Sequence, residues 1–295
     1  MKTVLVTGAS GYIGSHVCYE LVQNGFIVDG IDVVDSENTR ELVKHLRNYW
    51  RRDIGNSNIK GAYDIVVHCA ASISVEESMS DPSGYYENNV SNTLQLIRDI
   101  KTSHFIFAST AGAFNPISPY AKSKIFAEDI IKQHCDNYTI LRFFNVAGSN
   151  GKFRQIGKST HLIRIAAEVA AGKRQKMTIF GKNYVTRDGT CIRDYIHVSD
   201  LADIHIKGLN YLHKNKKSFI LNCGYGRGYS VKQIVNIFKK IKKGVGIEYQ
   251  KRRAGDITQV YANTKKFKKI LKWKPKYNNI KLIIKSAINW EKKLN

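Results

Sequence analysis

The sequence predicts an α/β protein built on a doubly wound parallel sheet, with a second, smaller α/β lobe. Short β-branched runs alternate with helical patterns through the first half of the chain, which is typical of a parallel sheet covered by helices on both faces. Beyond about residue 146 the alternation gives way to glycine-rich loops and lysine-rich helical segments. We therefore place one domain at residues 1–146, with return segments near residues 190–210, and the second lobe at residues 147–295.

Five segments of the first half have the length and composition of buried strands. The predicted strands are Val4–Thr7, Ile27–Asp32, Ile65–Cys69, Phe105–Ser109 and Tyr138–Phe144. Helical periodicity predicts helices over Gly14–Asn24, which Gly25 ends, and over Asn88–Ile100. Open sheets of this class bind their ligands at the carboxyl ends of the strands, so we expect the candidate site residues there.

The composition excludes several classes of protein. With 43% hydrophobic and 24% charged residues among 295, the chain is globular and long enough to bury a core. No segment has the ~18 consecutive apolar residues of a membrane span. Met1-Lys2 leads straight into a strand, so we expect no secretory leader and a cytoplasmic location. Five scattered cysteines without a CxxC pair indicate neither a disulfide framework nor a metal site.

The positive charge is concentrated at one end of the chain. The formal net charge is +23, and residues 211–295 contain 23 Lys or Arg against three acidic residues. Such asymmetry can mark a nucleic-acid surface. The lysines alternate with apolar positions, however, as on solvated faces of amphipathic helices, and no helix-turn-helix, RRM or zinc-finger pattern accompanies them. We therefore expect no specific nucleic-acid partner. The positive charge of this half of the chain can instead attract a small diphosphate ligand.

A glycine-rich turn follows the first predicted strand and opens the first predicted helix. Its glycines are Gly8, Gly11 and Gly14 within Thr7–Gly14. Glycines in this context permit a tight turn, a close approach of the backbone to phosphates, and helix amides that face an anion. Three glycines in a turn also occur for packing alone. The position between strand and helix favours a dinucleotide site, as in a Rossmann fold.

Two acids support this interpretation. Asp32 closes the second strand, where a carboxylate can accept hydrogen bonds from a ribose and would repel a 2′-phosphate, so NAD is favoured over NADP. The pair Asp53-Ile54 follows a charged stretch and can hold an adenine. The alternative for Asp53 is a solvated turn acid.

A tyrosine and a lysine form the candidate catalytic pair. Lys follows Tyr by four residues at Tyr120, Tyr261 and Tyr277, a spacing that arises by chance in a lysine-rich chain. Only Tyr120 begins a predicted helix shortly after a strand, and the end of that strand offers the hydroxyls of Ser109 and Thr110. We therefore take Tyr120, with Lys124 one turn later, as the candidate.

The proposed base must be more acidic than an ordinary phenol. Lowering a tyrosine pKa from ~10 to near neutrality requires ~4 kcal/mol. One positive charge at ~4 Å supplies about that amount at an effective dielectric constant near 20. Lys124 together with a cationic nicotinamide ring can therefore suffice, while Thr110 holds the substrate hydroxyl and shares its proton.

Ten short motifs are spread over nearly the whole chain. In the first half they are Val6–His16, His68–Ala71, Val75–Ser78, Tyr85–Val90, Ser118–Lys124 and Leu141–Asn145. The more specific ones, in the second half, are Ile179–Gly181, Asp188–Thr190, Arg193–Val198 and Arg252–Asp256. Together they resemble the extended short-chain dehydrogenases/reductases, specifically the NAD-dependent epimerase/dehydratase family and its UDP-glucose 4-epimerase group.

The resemblance assigns roles residue by residue. It implies that Tyr120 is the base, Lys124 its activator and Thr110 the hydroxyl partner. The implied NAD positions are Gly8, Gly11, Tyr12, Ile13, Gly14, Asp32, Asp53, Ile54, Ala70, Ala71, Asn88 and Lys124. The implied nucleotide-sugar positions are Thr110, Tyr120, Asn145, His161, Leu162, Phe180, Arg193, Arg253, Asp256 and Val260, with Phe180 by the uracil and both arginines by the diphosphate. Residues 147–295 would then be a nucleotide-sugar-binding lobe.

Single residues also have structural alternatives. Phe180 can belong to a core, Arg193 can pair with Asp194 or Asp200, and Asn145 can cap a turn. The family also implies a homodimer, which the apolar helices around Asn88–Ile100 and Ile125–Ile131 would form; the same apolar positions can instead face the sheet.

The implied reaction is inversion at C4′ of UDP-glucose and UDP-galactose through a 4-keto sugar, with bound NAD and no net redox change. The chain departs from the family in its shortened loops between Asp32 and Asp53 and between Thr110 and Tyr120. Ile73 stands where many members have Lys. Val260 stands where members restricted to simple hexoses have a bulky residue, so we expect UDP-GlcNAc and UDP-GalNAc to be accepted too.

Other functions stay open from the sequence. A nucleotide-sugar 4,6-dehydratase needs acids beside the catalytic Thr, and Ala111-Gly112 cannot transfer a proton. A nucleotide-sugar reductase or decarboxylase shares the Tyr/Lys pair and would consume NAD(P)H or release CO₂. A catalytically silent dinucleotide- or RNA-binding module is a further alternative, against which the intact Thr110, Tyr120 and Lys124 argue.

Overall fold

The structure is a computed structural model that describes residues 1–56, 59–157, 160–215, 217–253 and 256–293. Ala254 and Gly255 of the predicted Arg252–Asp256 motif lie outside the described residues. The chain divides into two compact units. The first comprises Met1–Phe143, Ala202–Asn222 and Lys266–Trp273, and the second comprises Phe144–Leu201, Cys223–Lys265 and Lys274–Asn295.

The first unit is built on a seven-stranded sheet. Its strands are β1 (Thr3–Thr7), β2 (Ile27–Asp32), β3 (Asn48–Arg51), β4 (Gly61–His68), β5 (Ile100–Thr110), β6 (Tyr138–Phe143) and β10 (Phe219–Cys223). The order across the sheet is β10-β6-β5-β4-β1-β2-β3, and every pairing from β6 to β3 is parallel. The chain runs from β1 outward to β3 on one side and to β4 on the other, so the topological switch point, where such sheets bind ligands, lies at β1.

Helices cover this sheet. They are α1 (Tyr12–Gln23), α2 (Glu37–Leu42), α3 (Val75–Ser80), α4 (Pro82–Tyr86), a π-helical turn (Glu87–Ser91), α5 (Asn92–Asp99), α6 (Pro119–His134), α8 (Val198–Asn215, here from Ala202) and α10 (Lys265–Leu271). Successive residues of β1 point to opposite faces, and Val4, Leu5 and Val6 are all at most 1% exposed. Both faces of the sheet are therefore buried, as in other doubly wound folds.

The predicted strands and helices lie in the observed elements, with differences at their ends. The predicted strand Ile65–Cys69 falls on β4, which begins earlier and ends at His68, and Phe105–Ser109 lies within the longer β5. The first helix begins at Tyr12 and ends at Gln23 instead of running from Gly14 to Asn24. The predicted strand Tyr138–Phe144 stops at Phe143, because Asn145 begins a strand of another sheet. The predicted helix Asn88–Ile100 is interrupted: its first part is a π-helical turn, and Ile100 already belongs to β5.

Two strands of the sheet were missed. β3 lies in the abbreviated stretch between Asp32 and Asp53, and β10 lies in the second half of the chain, where we expected no further sheet. The four residues of β3 are only partly buried, and β10 follows the lysine-rich end of α8, so neither has an obvious pattern in the sequence.

The second unit contains two small sheets. One consists of β7 (Asn145–Ala147), β9 (Ile192–His197), β11 (Gly228–Ser230) and β13 (Gln259–Val260), with β9 paired to the other three. The other pairs β8 (Lys176–Phe180) with β12 (Gly246–Gln250). Its helices are α7 (Leu162–Ala170), α9 (Val231–Ile241) and α11 (Ile280–Lys293), whose apolar faces share one core cluster.

Among the described residues, none of the helices combines the length and apolarity that crossing a bilayer would require.

Candidate active site

The glycine turn brings the carboxyl ends of β1 and β4 into close contact. Gly8 has φ +65°, and a Cβ there would lie 2.7 Å from the amide nitrogen of Ala70. A Cβ on Gly14 would collide with the carbonyl group of Gly8. Gly11 is the N-cap of α1 and places no side chain over the first amides of the helix, to which Tyr12 and Ile13 belong. The predicted dinucleotide turn therefore presents helix amides where an anion can approach.

Asp32 ties this turn to β2. Its Oδ2 accepts hydrogen bonds from the amides of Ser10 at 2.9 Å and Gly11 at 3.2 Å, and its Oδ1 accepts from Val34 at 3.0 Å. Burial raises the pKa of the Asp32 carboxyl, which the backbone amides oppose. The amides hold this carboxylate at the carboxyl end of β2, where an adenosine ribose would approach. The residues of the turn thus fit the pyrophosphate and adenosine ribose of NAD.

The adenine-side residues come together from three segments. Asp53 Oδ1 accepts from the Gly55 amide at 2.7 Å and from Asn92 Nδ2 at 3.2 Å, and Asn92 Nδ2 lies 3.5 Å from Asn88 Oδ1. Asp53 is therefore more than a solvated turn acid, because it joins its turn to the start of α5. Ile54 is buried within the core cluster of the first unit.

Tyr120 stands in the first turn of α6, next to the end of β5. The helix begins with an N-cap at Ser118, whose hydroxyl accepts from the Ala121 amide at 3.2 Å, and with Pro119 at its first position. Thr110 ends β5, and its side chain is near enough to Tyr120 to lower the pKa of the phenol. The two predicted hydroxyls therefore belong to one site.

Lys124 is 2% exposed, and its Nζ lies 4.0 Å from the centroid of the Phe107 ring. Burial lowers the pKa of Lys124 to about 7, while Cys69 and Glu128 act in the opposite direction. Burial also raises the pKa of Tyr120, which Thr110 opposes. Among the protein's own groups desolvation is the larger effect, and the expectation that Lys124 and a cationic nicotinamide ring together lower the phenol pKa stays a prediction.

An ion pair that we did not predict joins β5, β6 and α6. Glu128 is fully buried and accepts from Ser109 Oγ at 2.6 Å, from Arg142 Nε at 2.9 Å and from Arg142 Nη2 at 2.6 Å. Ser109 precedes Thr110, and Glu128 lies one turn after Lys124. The pair therefore fixes the strand end against the helix that carries Tyr120 and Lys124. The i, i+4 spacing of Lys124 and Glu128 was the available signal.

The π-helical turn directs two consecutive side chains to one loop. Asn88 Nδ2 donates to Ser72 Oγ at 2.9 Å, and Asn89 pairs with both backbone groups of Ser72, at 2.8 and 3.0 Å. Such turns are frequent at functional sites. Asn88 was predicted, whereas Asn89 and Ser72 were not. Ala71 directly precedes Ser72, and the side chain of Ile73, which replaces the usual Lys, is exposed.

In the second unit, Phe180 and Arg253 are in contact. Phe180 ends β8, and the Arg253 guanidinium carbon lies 3.8 Å from the centroid of its ring. Phe180 is only partly buried, so it does not belong to the core. An aromatic face and a guanidinium are the groups expected to recognise a base and a phosphate.

Arg193 pairs with neither Asp194 nor Asp200. Its Nη2 lies 3.6 Å from Asp256 Oδ1, and Val260 is its register partner between β9 and β13. Both alternative acids are buried and occupied: Asp194 accepts three backbone amides, and Asp200 accepts two and the hydroxyl of a tyrosine. Four residues that were predicted separately thus lie in or beside β9 and the end of β8. They are Arg193, Arg253, Asp256 and Val260.

The remaining predicted residues lie at the starts of neighbouring elements. Asn145 begins β7 and pairs with Tyr195 of β9, so it extends a strand rather than capping a turn. His161 is the N-cap of α7 without a capping hydrogen bond. Its pKa is lowered by burial and by the charges of Arg164 and Arg253. Leu162 packs against the core cluster of this unit. Within the described ranges, no group of three or more potential ligands is placed to hold a metal.

Comparisons with known proteins agree with this arrangement. The NAD dependent epimerase/dehydratase family matches residues 4–224. The UDP-glucose 4-epimerase of Azospirillum brasilense is 37% identical over 322 residues, covering 99% of this chain and 92% of that protein.

Two solved structures are also similar over almost their whole length. A UDP-glucose 4-epimerase from Bifidobacterium longum, in complex with NAD+ and UDP, has a TM-score of 0.87 at 30% identity and covers 99% of this chain and 98% of its own. The UDP-Glc/GlcNAc 4-epimerase of Campylobacter jejuni has a TM-score of 0.81 at 35% identity, with coverage of 99% and 100%. Because this family matches residues 4–224 and the relatives are 30–37% identical over almost the whole chain, the chain belongs to the NAD dependent epimerase/dehydratase family.

Proposed function

We propose that this protein is an NAD-dependent isomerase that inverts C4′ of UDP-hexoses, interconverting UDP-glucose and UDP-galactose through a 4-keto sugar. The observation that carries the proposal is the placement of Thr110, at the end of β5, next to Tyr120, with Lys124 buried one turn further along α6. Proton removal from a secondary alcohol needs a base within hydrogen-bond reach of that alcohol, and these two hydroxyls form such a pair.

Each residue of the pair has a separate task. Thr110 Oγ1 accepts the Gly112 amide at 3.1 Å, which orients its hydroxyl. Thr110 then aligns the sugar hydroxyl, and the Tyr120 oxygen takes the proton and returns it after the sugar has turned. Bound NAD supplies the hydride acceptor and donor and, when oxidised, a positive charge. Because burial raises the Tyr120 pKa, the phenol becomes an effective base only when positive charge is added to its surroundings.

The second unit is proposed to hold the nucleotide. Phe180 offers an aromatic face to uracil, and Arg193 and Arg253 offer planar donor groups to the diphosphate. Asp256, which pairs with Arg193 at 3.6 Å, holds that guanidinium in place. Anchoring the nucleotide while the 4-keto sugar rotates allows hydride to return to the opposite face.

The test is turnover of UDP-galactose and UDP-GalNAc by the purified protein without added reductant, with the products resolved by NMR. We expect C4 inversion of both substrates to an equilibrium mixture and no net production of NADH. Consumption of NAD(P)H or release of CO₂ would instead identify a reductase or a decarboxylase. A protein that inverts neither sugar, although NAD is bound, would contradict the proposal.

Acceptance of the N-acetyl sugar is assigned to Val260. Val260 is adjacent to Arg193 through the β9–β13 register, and its side chain is smaller than the bulky residue expected in members restricted to simple hexoses. Val260→Tyr is therefore expected to retain UDP-galactose turnover and to lose UDP-GalNAc turnover. Equal effects on the two substrates, or refusal of UDP-GalNAc by the unmodified protein, would contradict this part.

A homodimer is the proposed assembly. Leu96 and Ile131 pack in the core of the first unit, in agreement with the alternative that the apolar helix positions face the sheet. Phe126 on α6, however, is 50% exposed, and its ring lies 5.8 Å from that of Tyr86. Met79 on α3 is exposed as well. These apolar side chains suit a face that a second copy would cover. We expect Phe126→Glu to convert a dimer into a monomer in light scattering; a monomeric unmodified protein would contradict it.

A cytoplasmic location is also proposed. All five cysteines are free, which suits a reducing compartment. Recovery of the protein in a secreted fraction would contradict it.

A further inference from the structure

A buried line of hydrogen bonds joins the glycine turn to the backbone of Tyr120, with a histidine in its middle. His68 ends β4 and is 1% exposed. Its Nδ1 lies 2.6 Å from the hydroxyl of Thr7, which directly precedes Gly8. Its Nε2 lies 2.8 Å from the hydroxyl of Thr93 in α5. Both ring nitrogens therefore have a partner, one at the glycine turn and one on a helix.

These partners determine which ring nitrogen carries the proton. The Thr93 hydroxyl donates its only proton to the Asn89 carbonyl, 2.8 Å away, so it can only accept from the ring. His68 Nε2 is therefore the protonated nitrogen, and Nδ1 is an acceptor. Thr7 donates to Nδ1, and its oxygen accepts the Ala70 amide at 3.2 Å. A neutral ring satisfies every group, whereas a charged ring would direct a second donor at the Thr7 hydroxyl.

At its far end the line reaches α6. The Asn89 side chain, besides holding Ser72, donates to Ser123 Oγ at 2.9 Å. Ser123 Oγ in turn donates to the carbonyl oxygen of Tyr120 at 2.8 Å. The line is thus continuous from Thr7 to Tyr120, and Asn89, Thr93 and Ser123 are each at most 2% exposed.

We propose that neutral His68, acting through Thr93, is a positioning residue that holds the Asn89 turn and thereby sets Tyr120 relative to the glycine turn. The proposal deepens and rests on the proposed function. Buried polar groups that are fully satisfied specify one arrangement, and loss of one member leaves its neighbours unpaired. A small displacement of Tyr120 relative to the substrate alcohol then slows proton transfer much more than it weakens binding.

Thr93→Val in the NAD-bound protein tests this, because valine has nearly the same shape and removes only the hydroxyl. We expect kcat for UDP-galactose to fall by about tenfold or more, with KM changed by less than about twofold. Thr93→Ser should restore kcat. In ¹⁵N NMR spectra, the His68 ring of the unmodified protein should be protonated at Nε2 alone, and its signals should move in Thr93→Val.

The chain provides a matched control in Thr139 of β6. It is also fully buried, and within the described residues its hydroxyl has no hydrogen-bond partner. Thr139→Val should leave kcat unchanged, even where it changes the thermal stability as much as Thr93→Val does. A Thr93→Val enzyme with unchanged kcat, or a His68 ring protonated at Nδ1, would overturn the proposal. An unmodified protein that inverts no UDP-sugar would contradict the proposed function. The ¹⁵N NMR spectrum of the His68 ring would still show whether the hydrogen-bond line exists.

Discussion

Replacing Tyr120 by phenylalanine is expected to lower kcat for UDP-galactose inversion by about 10³-fold, because general acid–base catalysis by one group contributes ~10²–10⁴-fold. Only the phenol oxygen is removed. The ring keeps its packing, including the edge-on contact with Tyr85 at 6.4 Å between centroids. Thr110 retains its bond to the Gly112 amide and can still bind the sugar hydroxyl. KM for UDP-galactose should therefore change little.

Tyr277→Phe is the matched control for this variant. Tyr277 also has a lysine four residues later, but its ring stacks on His197 at 4.4 Å between centroids, in the second unit. Removal of its hydroxyl should leave kcat unchanged, which would show that the surroundings of Tyr120 matter and the Tyr/Lys spacing does not. NMR detection of both epimers with time gives the rates. Full activity of Tyr120→Phe would refute the assignment of the base.

The central strands of the sheet were predictable because their composition reflects burial by helices on both faces. Ile27–Asp32 has buried aliphatic residues on both faces, besides Asp29 and Asp32, and its limits were predicted to the residue. The β3 strand Asn48–Arg51 lies at the edge of the sheet and is partly exposed, so its composition resembles a loop. β10 pairs with β6, whose last residue Phe143 lies 76 residues before Phe219, and a local pattern does not encode such a pairing.

The candidate site also contains residues that the local sequence indicates and residues that only the fold brings together. Tyr120, Lys124 and the glycines could be placed from the sequence because each lies next to the end of a predicted strand and the start of a predicted helix; their roles stay predictions. Asn89 could not, because its role follows from a π-helical turn, which shifts the helical register by about one residue and no periodicity signals it. Glu128 was missed for a related reason: its partners Ser109 and Arg142 lie on two strands, and only the sheet brings them together.

Lys124→Met is expected to abolish most activity and, at the same time, to stabilise the protein. The fold lowers the Lys124 pKa from 10.5 to about 7, because the ammonium group is taken out of water. At pH 7 the unfolded chain holds this proton firmly, so folding must either bury the charge or release the proton. Either event costs on the order of 4 kcal/mol, which a methionine of similar length avoids.

The pH dependence separates this effect from ordinary packing. Between pH 7 and 10.5 the unfolded chain binds a proton at this position that the folded chain does not, so the stability of the unmodified protein rises with pH through this group. The advantage of Lys124→Met in urea unfolding should therefore shrink from roughly 4 kcal/mol at pH 7 to about 1 kcal/mol at pH 10.

The solvent-exposed Lys122 of the same helix provides the control: Lys122→Met should change the free energy of unfolding by less than about 0.5 kcal/mol at both pH values. A Lys124→Met protein that is less stable than the unmodified one at pH 7 would mean that the buried ammonium has a strong partner. Lys124 would then stabilise the folded structure. The expected result, stability gained while turnover is lost, would instead identify a charge that folding opposes and that only the reaction requires.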